Sequence, residues 1–292
     1  MTEPTLSIVI PAKNEAKGLE MILPRIRALF PQVELIVVND ASTDDTESIA
    51  TDYGAKVVCH PYSKGNGASI KSGLRAATGD VVVCMDADGQ HQPEEIPMLL
   101  AKLDDGFDMV VGARSHSGQA GAHRSLANGF YNRFASWMVG HKVEDLTSGF
   151  RAVRRDKFLE FISLLPNKFS YPTTITMSFF RAGYSVAYVP IDVQKRVEGT
   201  KSHVRIWQDG VRFLLIIFKI GTLFSPLKLF FPISLLLFFS GVGYYLYTYL
   251  SDGRFTNMGA LLFTTAILVF LMGLISEQIT SLIYRDSGLG KS

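Results

Sequence analysis

The segment VCMDADGQHQPEEIP, residues 83–97, places two carboxylates and an amide directly after a β-type run. Asp86 and Asp88 are separated by the small Ala87, and Gln90 follows. In an extended chain, residues i and i+2 point to the same side, so both carboxylates could face one point. These oxygens and the Gln90 amide oxygen suit Mg²⁺ or Mn²⁺, which take further ligands from substrate phosphates. The alternative interpretation is a solvated turn that opens a helix.

A second group of acidic residues ends an earlier β-type run, in VVNDASTDDT. Thr43, Asp44 and Asp45 are typical N-cap and first-turn residues of a helix. Asp40 precedes this cap at the end of the strand. Its position is equally consistent with contact to a ligand hydroxyl or base and with a structural role. Farther along, KGNGASIKSG lacks the third glycine of the dinucleotide fingerprint. It is interpreted as a turn and helix start, in which Lys64 could neighbour an anion.

The elements that position these residues alternate along the first two thirds of the chain. The β-type runs are LSIVIPA, ELIVVND, AKVVCH, DVVVCMD and DMVVGAR, with helical stretches between them. This alternation predicts a mainly parallel sheet covered on both faces, with ligands bound at the carboxyl ends of the strands. Cys59 and Cys84 fall in predicted buried strands, so we expect reduced core residues. His91 is expected to take no part in the chemistry.

The charge of the chain is unevenly distributed. The 292 residues are 47% hydrophobic and 19% charged with a net charge of +2, which predicts a folded protein with a sizeable core. Residues 109–143 contain no Asp or Glu but carry Arg114, Arg124, Arg133 and Lys142. Such a stretch favours contact with an anionic partner or an acidic membrane surface. No nucleic-acid partner is expected.

Two uncharged runs near the end of the sequence predict a transmembrane hairpin. Leu229 to Leu250 spans 22 residues and Met258 to Ser276 spans 19, joined by the turn-like SDGRFTN. A helix rises 1.5 Å per residue, so each run approaches or exceeds the thickness of a bilayer core. Neither run has the polar face expected of a buried helix in a soluble domain. The preceding segment, residues 206–224, mixes aromatic and basic residues and predicts a helix in the membrane interface.

Flanking charges predict the orientation of the hairpin. Lys219 and Lys228 precede it, Arg285 and Lys291 follow it, and the connector carries only Arg254. This bias predicts that both ends face the cytoplasm, so that the protein is integral to the inner or cytoplasmic membrane with a cytoplasmic catalytic domain. The predicted divisions are a catalytic domain at 1–205, an interfacial helix at 206–225, a hairpin at 226–285 and a tail at 286–292. The lipid-facing surface of two spans would favour a homo-oligomer.

Five motifs occur in the order and approximate spacing of the dolichyl-phosphate mannosyltransferase-like enzymes: IPAKNEA, VVNDASTDDT, MDADGQHQPEEIP, DLTSGFRAVRR and KRVEGTKS. The chain resembles these enzymes from residue 6 to about residue 205. They are inverting family 2 glycosyltransferases that load a sugar onto a polyprenyl phosphate. The resemblance implies a Rossmann-like GT-A fold, a Mg²⁺ or Mn²⁺ ion and a UDP- or GDP-linked nucleotide-sugar donor. The implied acceptor is undecaprenyl or dolichyl phosphate.

The resemblance also implies roles for individual residues. The residues expected at the nucleotide sugar are Pro11, Ala12, Asn14, Glu15, Asp40, Lys64, Asp86 and Ala87. Those expected at the metal and diphosphate are Asp86, Asp88 and Gln90. Those expected at the acceptor phosphate are Arg114, Arg124, Asn128, Ser148 and Lys201. The expected catalytic set is Asp88, Arg114, Arg124 and Arg196. Because a polyprenyl phosphate is largely dianionic at neutral pH, Asp145 is considered only as a possible base or orienter.

Three other functions compete with this interpretation. A processive polysaccharide synthase would carry a Gln-x-x-Arg-Trp signature and more membrane spans, and this sequence has neither. A silent nucleotide-binding scaffold would not need Asp86, Asp88 and Arg196. The alternative that stays open is a membrane-associated family 2 glycosyltransferase that acts on another lipid or glycan acceptor.

Overall fold

The computed structural model describes residues 5–114, 122–167, 171–193, 221–254 and 256–288, without the side chains of 122–128, 252 and 283–288. Arg196, Lys201 and residues 206–220 of the predicted interfacial helix lie outside these ranges. The chain divides into two compact units, Met1–His203 and Val204–Ser292. The finer division into four segments stays a prediction.

Within the described residues, the first unit contains a seven-stranded sheet. Its strands are β1 Leu6–Ala12, β2 Glu34–Asn39, β3 Lys56–Cys59, β4 Val81–Cys84, β5 Met109–Arg114, β6 Arg151–Arg154 and β7 Val186–Ile191. They lie in the order β3-β2-β1-β4-β6-β5-β7, and every adjacent pair is parallel except those that β6 forms with β4 and β5. The prediction of a mainly parallel sheet is therefore confirmed, although β6 and β7 were not among the predicted strands.

Helices cover both faces of this sheet. They are α1 Ala16–Leu29, α2 Thr46–Asp52, α3 Asn66–Ala76, α4 Ile96–Asp104, α5 Ala122–Val139, α6 Arg155–Glu160 and α7 Tyr171–Arg181, with a 3₁₀ turn at Pro93–Glu95. The consecutive residues Ile8, Val9 and Ile10 are all fully buried, which requires apolar cover on both sides of β1. Cys84 is also buried, as predicted. Cys59 is exposed, so its prediction was wrong, because β3 is an edge strand.

The antiparallel strand β6 brings an additional segment to the edge where the predicted site lies. Its first residue, Arg151, pairs with Cys84 of β4 and Val111 of β5. Because β6 runs against its neighbours, the turn before it, residues 145–150, reaches the edge at which β1, β2 and β4 end. The first turn of α1 also approaches this edge closely. A Cβ on Gly18 would lie 2.0 Å from the Ala87 carbonyl oxygen, so only glycine fits there.

In the described residues of the second unit, α8, Pro226–Asp252, and α9, Asn257–Gly288, form a helical hairpin. Gly253 ends α8 in the left-handed conformation, with φ +64°. The two helices are antiparallel, since Ser234 Oγ donates to the Ala266 carbonyl at 2.8 Å and Gly273 packs on Phe230. Pro226–Ser251 and Asn257–Leu282 are long and apolar enough to cross a membrane, and only 11% and 17% of their most apolar windows are buried within the protein.

Candidate active site

The loops after β1 and β2 are joined by hydrogen bonds at the carboxyl edge of the sheet. Asn14 and Ala41 both adopt left-handed backbone conformations, with φ values of 55° and 58°. These are uncommon for residues other than glycine and occur often at functional sites. Asn14 accepts a hydrogen bond from the Thr43 amide on its side-chain oxygen at 2.7 Å, and its own amide donates to Ser42 Oγ at 3.0 Å. The predicted nucleotide residues after β1 therefore lie beside the loop that follows β2.

Asp40 is buried and accepts four hydrogen bonds from the loop after β3. His60 Nδ1 lies 2.7 Å from Oδ1, and the Lys64 amide donates to the same oxygen at 2.7 Å. Ser63 Oγ and the Gly65 amide donate to Oδ2, at 2.7 and 2.9 Å. A carboxylate has about four acceptor positions, so these contacts fill the capacity of Asp40.

The environment of Asp40 indicates how its loop is held. Burial alone would raise the pKa of this carboxyl, but its hydrogen bonds to His60, Ser63 and the two loop amides lower the pKa to about 2. Asp40 therefore fixes the loop that carries Lys64 and opens α3. The expectation that Asp40 itself contacts the nucleotide stays a prediction, and the geometry favours the structural role.

The segment that carries Asp86 and Asp88 is a turn rather than an extended chain. Strand β4 ends at Cys84, Asp88 Oδ1 accepts a hydrogen bond from the Gln90 amide at 3.1 Å, and Gly89 has φ 72°. The argument that residues i and i+2 share a side therefore does not apply here, and this premise was wrong. Asp88 is buried, whereas the Asp86 side chain is 35% exposed. Convergence of the two carboxylates on one ion stays a prediction.

His91 supports this turn from inside the protein. The imidazole is buried and stacks on Phe150, with ring centroids 5.1 Å apart. Its Nδ1 atom lies 3.9 Å from Asp86 Oδ2. His91 was expected to take no part in the site, and nothing in its sequence position indicated that it would stack beneath a predicted ligand.

The turn at residues 145–150 packs directly against Asp86. A Cβ on Gly149 would lie 2.8 Å from Asp86 Oδ2 and 3.1 Å from Oδ1, so the absence of a side chain allows this approach. The Gly149 carbonyl accepts a hydrogen bond from the Tyr171 hydroxyl at 3.2 Å. The glycine in the TSGF motif therefore joins the predicted metal loop to the predicted acceptor residues.

Arg114, at the end of β5, forms a forked ion pair with Asp145. Its Nε and Nη2 atoms donate to the two carboxylate oxygens at 2.7 and 2.9 Å. The same carboxylate accepts hydrogen bonds from the amides of Thr147 and Ser148 at 3.0 and 3.1 Å. Burial would raise the pKa of Asp145, but the Arg114 guanidinium and these amides hold it below its usual value. The arginine side chain keeps 29% of its surface exposed, so it can still meet a ligand.

Two further residues of this turn are buried in ways that bear on binding. Ser148 Oγ is buried and, among the described residues, has no hydrogen-bond partner. Arg151 is fully buried, and its guanidinium donates to the carbonyl oxygens of Ser148 and Pro172 and to Thr176 Oγ1. Since these acceptors are neutral, a positive charge lies beneath the turn without direct neutralisation by them. The sequence contained Arg151 in a motif but gave no sign of this burial.

Residues 7–161, more than half of the chain, match the family model described as Glycosyl transferase family 2. The chain belongs to glycosyl transferase family 2. Residues 225–282 match a second model, described as GtrB C-terminal hairpin. The first matched range lies within the first unit of the structure, and the second lies within the second unit. The predicted enzyme class is confirmed.

Relatives of this family 2 glycosyltransferase include polyprenol monophosphomannose synthase from Mycolicibacterium smegmatis, 33% identical over 214 residues, which are 68% of this chain and 80% of the relative. Undecaprenyl-phosphate mannosyltransferase from Micrococcus luteus is 30% identical over 205 residues, 65% of this chain and 84% of that enzyme. A crystal structure of glucosyl-3-phosphoglycerate synthase from Mycobacterium tuberculosis with Mn²⁺ and UDP-glucose is 26% identical, with a TM-score of 0.59 over 75% of this chain and 78% of that chain. The GT-A fold prediction is confirmed.

The residues at the carboxyl edge of this glycosyltransferase fit a divalent cation by their chemistry. Asp86, Asp88 and Gln90 offer two carboxylates and one amide, a hard oxygen set. Among the described residues, no three His, Cys, Asp or Glu side chains cluster as a metal site. Such a short protein ligand set is typical of Mg²⁺ and Mn²⁺ sites completed by substrate phosphates and water.

The remaining predicted residues are placed only in part. Arg124 and Asn128 belong to α5, but their side chains lie outside the described residues, as do Arg196 and Lys201 entirely. Their roles at the acceptor phosphate and in catalysis stay predictions. The pairing of Arg114 with Asp145 was not foreseen, because it joins residues 31 positions apart.

Proposed function

We propose that this enzyme transfers a sugar from a UDP- or GDP-linked donor to a polyprenyl phosphate in the membrane, with inversion at the sugar carbon and with Mg²⁺ or Mn²⁺ bound. The observation that carries the proposal is the contact between Gly149 and Asp86. It makes the predicted donor loop and the predicted acceptor turn adjacent parts of one edge. A transferase for two anionic substrates requires such adjacent sites.

On the donor side, the chain supplies oxygen ligands and a fixed loop. Asp86, Asp88 and Gln90 would hold the divalent ion, which would neutralise charge on the leaving nucleoside diphosphate. Asp40 orders the loop of Lys64 by accepting a hydrogen bond from the Lys64 amide, and the Lys64 ammonium group would then be placed near the nucleotide. In this arrangement the protein contacts serve to position the metal ion and the nucleotide, and none of them is needed for proton transfer.

On the acceptor side, the nucleophile is a phosphate oxygen that attacks the sugar carbon as the bond to the diphosphate breaks. A direct displacement of this kind inverts the configuration. The acceptor phosphate is largely ionised at neutral pH, so no general base is needed. Asp145 suits a positioning role, since it is engaged by Arg114 and by two amides and has a lowered pKa. Arg114 and Ser148 Oγ would then contact the acceptor phosphate.

The membrane location of the acceptor is supported by the hairpin and by the names of two relatives, a polyprenol monophosphomannose synthase and an undecaprenyl-phosphate mannosyltransferase. The flanking basic residues favour cytoplasmic ends for both helices, in the inner or cytoplasmic membrane. The sugar, the nucleotide base and the length of the polyprenol are left to experiment. Self-association of the hairpin stays a prediction.

The proposal is tested with full-length protein in lipid nanodiscs. A panel of UDP- and GDP-sugars is incubated with undecaprenyl or dolichyl phosphate, with Mn²⁺, Mg²⁺ or a chelator, and the products are read by mass spectrometry. The expected product is a polyprenyl-phosphate sugar that forms only with a divalent ion. Transfer to a different lipid or glycan, with none to polyprenyl phosphate, would instead support the alternative acceptor class.

Asp88→Asn tests the assignment of the metal loop. We expect turnover to fall by about 10²-fold or more, since the variant loses a charged ligand at the leaving group. Asp105→Asn is the matched control, because Asp105 is an exposed carboxylate on the far end of α4 that pairs with Lys102. Wild-type turnover of Asp88→Asn at saturating Mn²⁺ would refute the assignment.

A further inference from the structure

His91 joins the predicted metal loop to the turn at residues 145–150. Its imidazole is only 5% exposed, so it lies in the interior of the first unit. One edge of the ring faces Asp86, and one face of the ring stacks on Phe150. The two contacts involve different parts of the imidazole, so each part can be considered by its own chemistry.

The Nδ1 atom of His91 holds the backbone of Asp86 rather than its carboxylate. The Asp86 amide donates a long hydrogen bond to Nδ1 at 3.5 Å, whereas Nδ1 and Asp86 Oδ2 are 3.9 Å apart, beyond hydrogen-bond distance. A backbone amide can only donate, so Nδ1 must accept and the ring proton lies on Nε2. In this arrangement the imidazole is neutral, and it does not compete with a cation for the Asp86 oxygens.

The ring of His91 is itself fixed by Phe150. The ring centroids are 5.1 Å apart and the ring planes differ by 15°, which is a stacked arrangement. Phe150 is fully buried against β5, where a Cβ on Gly112 would lie 2.9 Å from Phe150 Cδ1. The Gly112 amide also donates to the Phe150 carbonyl at 2.9 Å. The imidazole therefore rests on a side chain that the sheet holds in place.

Two consecutive residues of the turn thus act on Asp86 from different directions. Gly149 packs directly against the carboxylate, and Phe150 acts on the Asp86 backbone through His91. The Asp86 side chain nevertheless keeps 35% of its surface exposed. A carboxylate that is held in this way and still accessible is suited to meet an ion from the solvent side.

We propose that His91 is a positioning residue for the divalent ion. Its Nδ1 atom fixes the Asp86 backbone and with it the direction of the Asp86 carboxylate, while the stack on Phe150 fixes Nδ1. The inference rests on the placement of the ion at Asp86 in the proposed function, but not on the sugar, the base or the acceptor. Groups that orient a metal ligand without touching the metal typically change metal affinity by about 10–100-fold. Because the hydrogen bond to Nδ1 is long, we expect the lower end of this range.

Two substitutions separate the hydrogen bond from the ring. His91→Phe keeps a ring that can stack on Phe150 but removes the acceptor, whereas His91→Asn keeps an oxygen near the position of Nδ1 but removes the ring. Binding of Mn²⁺ to full-length protein in detergent micelles is measured from the electron paramagnetic resonance signal of free Mn²⁺, with UDP and with GDP in parallel. The nucleotide that strengthens Mn²⁺ binding to the wild type is used for all variants.

We expect the two variants to change in opposite order. His91→Phe should raise the Kd for Mn²⁺ about tenfold and keep Tm within about 2 °C of the wild type. His91→Asn should keep this Kd within about threefold but lower Tm by about 3 °C or more, because the stack is lost. Should His91→Phe fold poorly, His91→Leu also removes the acceptor and should weaken Mn²⁺ binding equally.

His141→Phe is the matched control, since His141 stacks on Phe180 with ring centroids 5.4 Å apart and should not affect Mn²⁺ affinity. A histidine that only fills space would make Mn²⁺ affinity follow Tm, with His91→Asn the weaker binder. That result, or wild-type Mn²⁺ affinity in His91→Phe, would overturn the positioning role and leave the proposed function intact. Wild-type protein that binds no Mn²⁺ with either nucleotide would overturn both the placement of the ion and the role of His91.

Discussion

The ion pair between Arg114 and Asp145 allows a direct test of what stabilises the turn at residues 145–150. In Asp145→Asn, the carboxylate becomes an amide, so Arg114 loses its counter-ion. The amide NH₂ group must also face a donor, either the guanidinium or the amides of Thr147 and Ser148. A buried carboxylate oxygen that accepts hydrogen bonds would therefore be replaced by an NH₂ group that faces another hydrogen-bond donor.

The magnitude follows from the burial of the two partners. Removal of one member of a fully buried ion pair costs about 3–5 kcal/mol. The side chain of Asp145 is 6% exposed, but that of Arg114 is 29% exposed, so water compensates part of the loss. We expect the free energy of unfolding to fall by about 2–3 kcal/mol for Asp145→Asn, measured by urea unfolding of full-length protein in detergent micelles.

A double-mutant cycle with Arg114→Gln isolates the pair. If the two side chains stabilise the turn through each other, the double variant should lose at least about 1.5 kcal/mol less than the sum of the single variants. The pH dependence of transfer should keep its acidic limb in Asp145→Asn, since the proposed function assigns that limb to ionisation of the acceptor phosphate. Additive unfolding energies within about 0.5 kcal/mol would refute the pairing. Loss of the acidic limb would show that Asp145 is a base.

Two further predictions concern the contact between Gly149 and Asp86 and the hydrogen bonds of Asp40. Gly149→Ala should lower turnover by about 10²-fold with little change in Tm, because its Cβ would displace the Asp86 carboxylate. The control is Gly129→Ala, since no atom of the described residues lies within 4 Å of a Cβ at that position. Full activity of Gly149→Ala would contradict the contact between Gly149 and Asp86. In the folded protein, the pKa of Asp40 is lowered to about 2, whereas in the unfolded chain it is near 3.9. The Asp40 carboxylate therefore stabilises the fold at any pH above the unfolded pKa, and this stabilisation is lost as the pH falls through 2. Urea unfolding from pH 5 downward should show a loss of about 2 kcal/mol that is absent in Asp40→Asn, and an equal loss in both proteins would show that Asp40 is not its source.

Much of the fold followed from local patterns in the sequence. Apolar runs between helical stretches are sufficient to predict a parallel sheet, and the topology of such a sheet makes its strand ends the site. The uncharged C-terminal runs predicted the hairpin in the same way. Strands β6 and β7 were missed, because RAVR is a short run bounded by arginines and Val186–Ile191 includes a proline. Cys59 was placed in the core, because strand order, which decides edge exposure, is not a local property.

The site was less predictable than the fold, since its key contacts join distant parts of the chain. The type and position of Asp40 are equally compatible with a ligand contact and with the four internal donors that occupy it. Likewise, Arg114 alone gives no sign that Asp145 will neutralise it. The sequence pattern shows which residues lie at the carboxyl edge of the sheet. The hydrogen-bond donors that pair with each carboxylate there come from loops whose conformation the pattern does not predict.

In the proposed function, the turn at residues 145–150 would allow one edge to bind two anionic substrates. Its amides are held by Asp145, the Ser148 carbonyl is held by the buried Arg151, and Gly149 rests on Asp86. Because these anchors are buried, the turn need not reorganise as charge moves from the acceptor phosphate to the leaving diphosphate, and fixed dipoles stabilise charge more effectively than mobile ones. The negative charge of the two proposed substrates would then be opposed by the buried Arg151 beneath the turn and by Arg114, whose position is set by Asp145. If Arg114 binds the acceptor phosphate as proposed, the neighbouring Asp145 carboxylate would repel that phosphate, and its presence is explained by its role in orienting Arg114.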